Sequence, residues 1–462
     1  MNMKEKRQMP KGFFWGNSVS SMQTEGAYNL DGKGQSVYDV RPATDKTSDW
    51  HDAIDEYHRY EEDLDIMKDL NMNMYRIQIS WSRVVPDGDG EFNEAGIAFY
   101  DRLVDAMLAR GITPMICLYH FDMPLALAQK ENGFMSRHVV DAFVRFGEKM
   151  IEHFADRVKY WITFNEHNLY FTDEVFNISG YEHGDKSIND MYRIFHHTVL
   201  AHARLDAFVH SHYEDVQIGG MLAYTPVYPE TANPVDVMVA RKSDEFLNNN
   251  LNDAYVYGHY SPEVLHYVEE TGIDYDLQPG DMETIAKMKA DFLAFSYYRS
   301  AVVNGDKVPA DAVPNRYFNY TFEANRFLDA SPWGWTIDPL GFRNLITKLY
   351  DQYQIPVFPI ENGIGLRETW DGQHMIEDDQ RIKYHREHIK AMKDAILIDG
   401  AQVLGYLGWG LIDIPSSHAD IEKRYGVVYV NRSNHDLKDL KRVPKKSYYW
   451  LQGILAKNGD EL

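Results

Sequence analysis

The chain of 462 residues carries 70 acidic against 47 basic side chains, a net charge of −23, with 44% hydrophobic residues. Such an excess of negative charge argues against a nucleic-acid or anionic-membrane partner, because a phosphate backbone needs a basic face. The one cysteine, Cys117, sits in an apolar run and leaves no disulfide framework. Near the N-terminus the apolar stretch is broken by Gly12, Gly16 and Asn17, too short for a signal peptide, and no run reaches transmembrane length. A cytoplasmic protein is expected. Its 13% aromatic content suits core packing first, and a site that stacks rings second.

In chain order, short apolar runs at 13–20, 74–81, 112–119, 160–164, 216–223, 291–298, 357–360 and 403–409 predict strands. Amphipathic stretches separate them. Ile54, Tyr57, Glu61, Leu64, Met67 and Leu70 fall mostly at three- to four-residue steps and predict a helix. Phe99, Leu103, Ala106 and Arg110 predict a second, closed by Gly111, and 378–398 a third. Eight strands alternating with helices predict an α/β fold, a single (β/α)8 TIM barrel spanning 1–462 with elaborated βα loops. The stretch 300–332, rich in Asn, Asp, Pro and Gly, is expected to be a loop covering the mouth.

Two strings stand out: Thr163-Phe164-Asn165-Glu166 and Ile360-Glu361-Asn362-Gly363. Each ends an apolar run on a glutamate flanked by asparagine, whose amide can hold a carboxylate or a sugar hydroxyl. A glutamate at a strand end is ordinarily a solvated charge. In a parallel barrel, however, carboxyl-terminal strand ends converge on one mouth, so these two carboxylates can face one bond. Acetal hydrolysis needs such a pair, one group to protonate the leaving oxygen and one to meet the oxocarbenium charge.

From Phe13-Phe14-Trp15-Gly16 to Lys423-Arg424-Tyr425-Gly426 the chain resembles a family 1 glycoside hydrolase, a group of retaining β-glycosidases. The resemblance implies Glu166 as acid/base and Glu361 as nucleophile, with carboxyl groups about 5–5.5 Å apart. It implies that Arg76 keeps the nucleophile ionised and that Tyr298 orients it. Gln23, His120 and Asn165 match the hydroxyl-binding set, and Trp409 the stacking wall. Two positions depart from the pattern: His167 stands where proline is usual, and Phe121 where tryptophan is usual.

Seven residues after Trp409, where members acting on ordinary glucosides carry glutamate, this chain has Ser416. A carboxylate would repel a phosphate at O6, whereas a hydroxyl can donate to it. Lys423 adds a charge and Tyr425 a second hydroxyl, so Ser416, Lys423 and Tyr425 resemble the phosphate-binding set of the phospho-β-glycosidase branch. Ser296 and Trp333-Gly334-Trp335 also look like that branch. Small Ser417 favours an equatorial O4, hence 6-phospho-β-glucosides over the galacto epimer. A 6-phospho-β-galactosidase, a dual-specificity enzyme and a catalytically silent sugar-binding barrel are the alternatives.

His196, His197, His202 and His210 lack the spacing that puts two ligands on one helical face in the HExxH manner. No P-loop or dinucleotide fingerprint occurs, so no metal and no cofactor are expected. The expected partner is a small-molecule phosphorylated β-glucoside. No pattern specifies an oligomeric state.

Overall fold

A computed structural model describes residues 8–462; positions 1–7, which belong to the N-terminal stretch read as too short for a signal peptide, lie outside the described residues. Eight parallel strands run in sequence order around a barrel. They are β1 (Phe14–Ser18), β2 (Met74–Gln78), β3 (Thr113–Tyr119), β4 (Tyr160–Phe164), β5 (Gln217–Tyr224), β6 (Leu293–Tyr297), β7 (Val357–Asn362) and β8 (Gly405–Trp409). The barrel closes where β7 meets the segment entering β8. There the Val357 amide donates to the Gln402 carbonyl at 3.0 Å, and the Leu404 amide to the Val357 carbonyl at 3.1 Å.

All eight predicted strands are present, most of them trimmed at one or both ends. The run 74–81 stops at Gln78, because Ser80 is an extended N-cap and Trp81 opens a short helix, Trp81–Val84. The predicted helices lie at Glu56–Asp69, Glu94–Ala109 and Asp379–Leu397. Gly111 takes φ 74°, and the amides of Gly111 and Ile112 donate to the carbonyls of Leu108 and Met107. This is a Schellman termination, for which glycine is the usual residue.

Alternation along the strands fills the barrel interior with Met74, Met115, Cys117, Ile162, Met221, Ala294, Phe358, Ile360 and Leu407, all nearly inaccessible to solvent. The larger apolar layer lies between strands and helices. Strand β7 breaks the alternation. Phe295 of β6 lies opposite Pro359 and Ser296 lies opposite Glu361, so Ile360 is a bulged residue without a partner. Ile360 faces the apolar interior, and the next residue, Glu361, reaches the mouth.

The stretch 300–332 is not structureless. Ala301–Val303 pairs in parallel with Val227–Pro229 from the loop after β5, and Pro314–Asn319 forms a 3-10 turn. The four histidines belong to the helix Ile188–His212 and have protein partners: His196 with Asp281 and Tyr260, His197 with Asp276, His202 with Thr163, His210 with Asp206 and Asp291. Among the described residues no helix is long and apolar enough to cross a membrane.

Gly16 sits where β1 approaches β2 most closely; a Cβ there would lie 1.9 Å from the Met74 carbonyl oxygen. Gly16→Ala must therefore push apart β1 and β2, both of which carry site residues. The expected cost is about 1–3 kcal/mol, the usual penalty of overpacking, read as a lower thermal midpoint. An unchanged midpoint would contradict this close approach.

Candidate active site

Glu166 follows β4 in a left-handed turn (φ 44°), which ends the strand and starts the 3-10 turn His167–Phe171. Glu361 lies near the end of β7. Both carboxylates line one cavity of about 230 Å³ at the carboxyl-terminal mouth of the barrel. Gln23, His120, Asn165, Tyr298, Trp409 and Tyr425 line the same cavity.

Arg76, the second residue past Met74 on the inward face of β2, lies beneath it and is fully buried. Its Nη1 donates to Glu361 Oε1 at 2.5 Å and to Ser18 Oγ at 3.0 Å, and its Nη2 donates to Asn165 Oδ1 at 2.7 Å. The Tyr298 hydroxyl donates to the other Glu361 oxygen, Oε2, at 2.9 Å. Glu166 has a weaker set of partners: Ser296 Oγ donates to its Oε1, and no cation pairs with it among the described residues.

That asymmetry separates the two acids. Burial raises both. On Glu361 the Arg76 charge and the hydrogen bonds from Tyr298 and Arg76 oppose the rise. On Glu166 burial acts together with repulsion from Glu361, and the carboxyl is pushed up to about 8. Glu361 gives up its proton first, and Glu166 keeps its own near neutral pH. The arrangement places one proton donor and one anion in the same pocket.

The remaining predicted residues fall into two groups. His120 is buried, and burial followed by the Arg76 charge holds its imidazole neutral. Trp409 stands 5.6 Å from it, ring centroid to ring centroid. Gln23 lines the cavity, but its amide is committed to protein: Nε2 donates to the Pro415 carbonyl at 2.8 Å, pinning the loop after β8. Asn362 is a correction to the expectation that both asparagines hold carboxylates or sugar. It points away from the mouth, donates to the Tyr297 carbonyl and accepts from the Tyr406 hydroxyl, so it braces β7 between β6 and β8. His167 also faces outward, bonded to Tyr255 and Thr198 against the helices.

Ser416 and Lys423 lie beside the cavity, while Ser417 and Tyr425 line it directly. Ser416 Oγ accepts from the amides of His418 and Asp420, which leaves its hydroxyl proton as a donor. Lys423 Nζ sits 3.7 Å from the Trp335 ring centroid and 5.5 Å from that of Tyr425. Burial, followed by a neighbouring Arg299, lowers it to about 8. Arg299 is absent from the residues that sequence reasoning selects, although a cation directly after Tyr298 at a strand end was the available signal.

An acid and an anion at the mouth of a parallel (β/α)8 barrel are the equipment of a barrel glycosidase. The chain belongs to glycosyl hydrolase family 1, whose model matches residues 5–460. It is 37% identical over 474 residues to the aryl-phospho-beta-D-glucosidase BglC of Bacillus subtilis (strain 168), covering 98% of each chain. It is 38% identical over 466 residues to a 6-phospho-beta-glucosidase of Dickeya chrysanthemi, again covering 98% of each. The solved family 1 β-glucosidase from Thermotoga maritima superposes with a TM-score of 0.86 at 30% identity, over 98% of this chain and 99% of that one.

Arg76→Met would leave Glu361 buried without its cation. Removing one partner of a buried pair costs about 3–5 kcal/mol. The stranded carboxyl has a raised folded pKa, so its destabilisation grows as pH rises above the unfolded glutamate range and is relieved by protonation below it. The expected loss is larger at pH 8 than at pH 5, measured by denaturant unfolding. Equal losses at both would show that the carboxylate is not the partner that matters.

Proposed function

We propose that this protein hydrolyses β-glucosides phosphorylated at O6, aryl glucosides or disaccharides, and releases glucose 6-phosphate with retention of configuration. Glu166 and Glu361 occupy one cavity with separated proton affinities, which supports turnover over a silent sugar-binding role. The observation that carries the phosphate reading is the corner formed by Ser416, Lys423 and Tyr425, a lysine and two hydroxyls beside that cavity. The names of the relatives point the same way.

In this reading Glu361 attacks the anomeric carbon while Glu166 delivers its proton to the departing oxygen. Glu166, now ionised, then activates the water that releases the sugar. Arg76 and Tyr298 hold the nucleophile; His120 and Asn165 meet ring hydroxyls; Trp409 supplies the apolar wall. Ser417 at the cavity wall favours the gluco epimer. The proposal includes one catalytic domain, supported by the apolar layer shared between strands and helices, and a cytoplasmic location, supported by the free, buried Cys117.

The test compares 4-nitrophenyl β-glucoside with its 6-phosphate and follows the first-formed anomer by proton NMR. Expected are a kcat/KM at least about 10-fold higher for the phosphate, as one charge-assisted contact supplies, and β-glucose 6-phosphate as first product. Equal efficiencies would remove the phosphate reading, and an α first product the retaining one.

A second outcome concerns pH. Glu166 must keep its proton and Lys423 its charge, and burial brings both to about 8, one from below and one from above. The alkaline limb of kcat/KM should fall with a two-proton slope on the phosphorylated substrate and a one-proton slope on the unphosphorylated one. Identical slopes would take Lys423 out of phosphate binding.

A further inference from the structure

Arg299 follows Tyr298 just past the carboxyl end of β6 and lines the cavity that holds both carboxylates. Its guanidinium carbon lies 4.9 Å from the Trp335 ring centroid and 4.6 Å from that of Phe322. Lys423 Nζ lies 3.7 Å from the same Trp335 ring. Two cations thus share one indole at one end of the cavity. Neither makes an ion pair with a carboxylate among the described residues, and the carboxylate whose charge acts on Lys423 is Asp420.

Two half-buried like charges without a counter-ion are costly, and proteins normally pair them. Here burial lowers Arg299 and burial with the Arg299 charge lowers Lys423, the signature of cations short of an anion. A phosphate monoester carries close to two negative charges at neutral pH, twice what Lys423 alone can neutralise. A guanidinium fork also matches phosphate oxygens in a way an ammonium cannot.

We propose that Arg299 is a specificity-determining residue that binds the substrate phosphate jointly with Lys423, both cations resting against the ring of Trp335. The inference rests on the phospho-β-glucosidase reading above and adds a second positive charge to it. Arg299 also borders an adjoining cavity of about 210 Å³ walled by Phe318 and Phe322, so an acidic aglycone is the competing use of the same cation.

The test uses Arg299→Met and Arg299→Lys with three substrates: 4-nitrophenyl β-glucoside, its 6-phosphate, and 4-carboxyphenyl β-glucoside 6-phosphate. Glucose and glucose 6-phosphate serve as competitive inhibitors. The methionine variant should lower the ratio of kcat/KM, 4-nitrophenyl 6-phosphate over unphosphorylated, by about 10- to 100-fold, the worth of a charge-assisted hydrogen bond. The loss should appear in KM, with the inhibition constant of glucose 6-phosphate raised by a similar factor and that of glucose not. Lysine should recover a fraction of both effects, which a packing role between Phe322 and Trp335 would not predict. Equal losses on both 4-nitrophenyl substrates, or a loss confined to the carboxylated aglycone, would overturn the proposal. Wild-type enzyme without any preference for phosphate would overturn both this inference and the reading beneath it. A wild-type preference retained in Arg299→Met would overturn this inference alone. Thermal unfolding of both variants identifies misfolding, and the lysine variant carries the test should methionine not fold.

Discussion

The site depends on one buried charge pair. Arg76 and Glu361 are removed almost wholly from water, at 0% and 4% side-chain exposure, where an isolated charge would be untenable. The pair persists because hydrogen bonds satisfy both ends: Ser18 and Asn165 accept from the guanidinium, and Tyr298 donates to the carboxylate. These groups come from β1, β2, β7 and the segments just past β4 and β6, so the network fixes the mouth of the barrel as well as the charge. Burial raises the proton affinity of Glu166, and the pair adds to it, since Glu166 is the carboxyl beside that anion without a cation of its own.

Much of this was readable in the sequence, for physical reasons. Strands buried on both faces give uninterrupted apolar runs, and all eight registered as such. Glutamates ending two of those runs had to reach the mouth, as Glu166 and Glu361 do. What could not be read is the direction of neighbouring polar side chains. Asn165 precedes one glutamate and Asn362 follows the other; the first meets Arg76 and the second braces strands on the outer side. The separation of Ser416 from Ser417, one beside the cavity and one in its wall, is likewise set by loop geometry and not by residue type. The role of Arg299 is not legible in its own segment, because its significance comes from the ring it shares with Lys423, a contact between distant parts of the chain.

The corner proposed for phosphate hangs from the loop after β8, a segment with little regular structure of its own. Tertiary hydrogen bonds tie it down: Gln23 donates to the Pro415 carbonyl, the Ser48 amide to the Ala419 carbonyl, and the Ile421 amide to Asn434. Arg424, next to Lys423, is buried and paired with Asp413, which anchors the stretch and leaves its neighbour facing the indole. Adjacent basic residues thus divide the labour, one structural and one turned toward the pocket.

The bulged Ile360 in β7 carries its own implication for the barrel floor. Side chains of a strand switch faces at every residue, so in a regular β7 the residue after inward-facing Ile360 would turn toward the surrounding helices. The extra residue resets the parity. The paired register skips Ile360, so a strand without that residue would run on regularly from outward-facing Pro359 to an inward-facing Glu361 opposite Ser296. What the additional residue supplies is a second apolar side chain for the barrel floor beneath the glutamate, won without shifting that glutamate from its place beside Ser296.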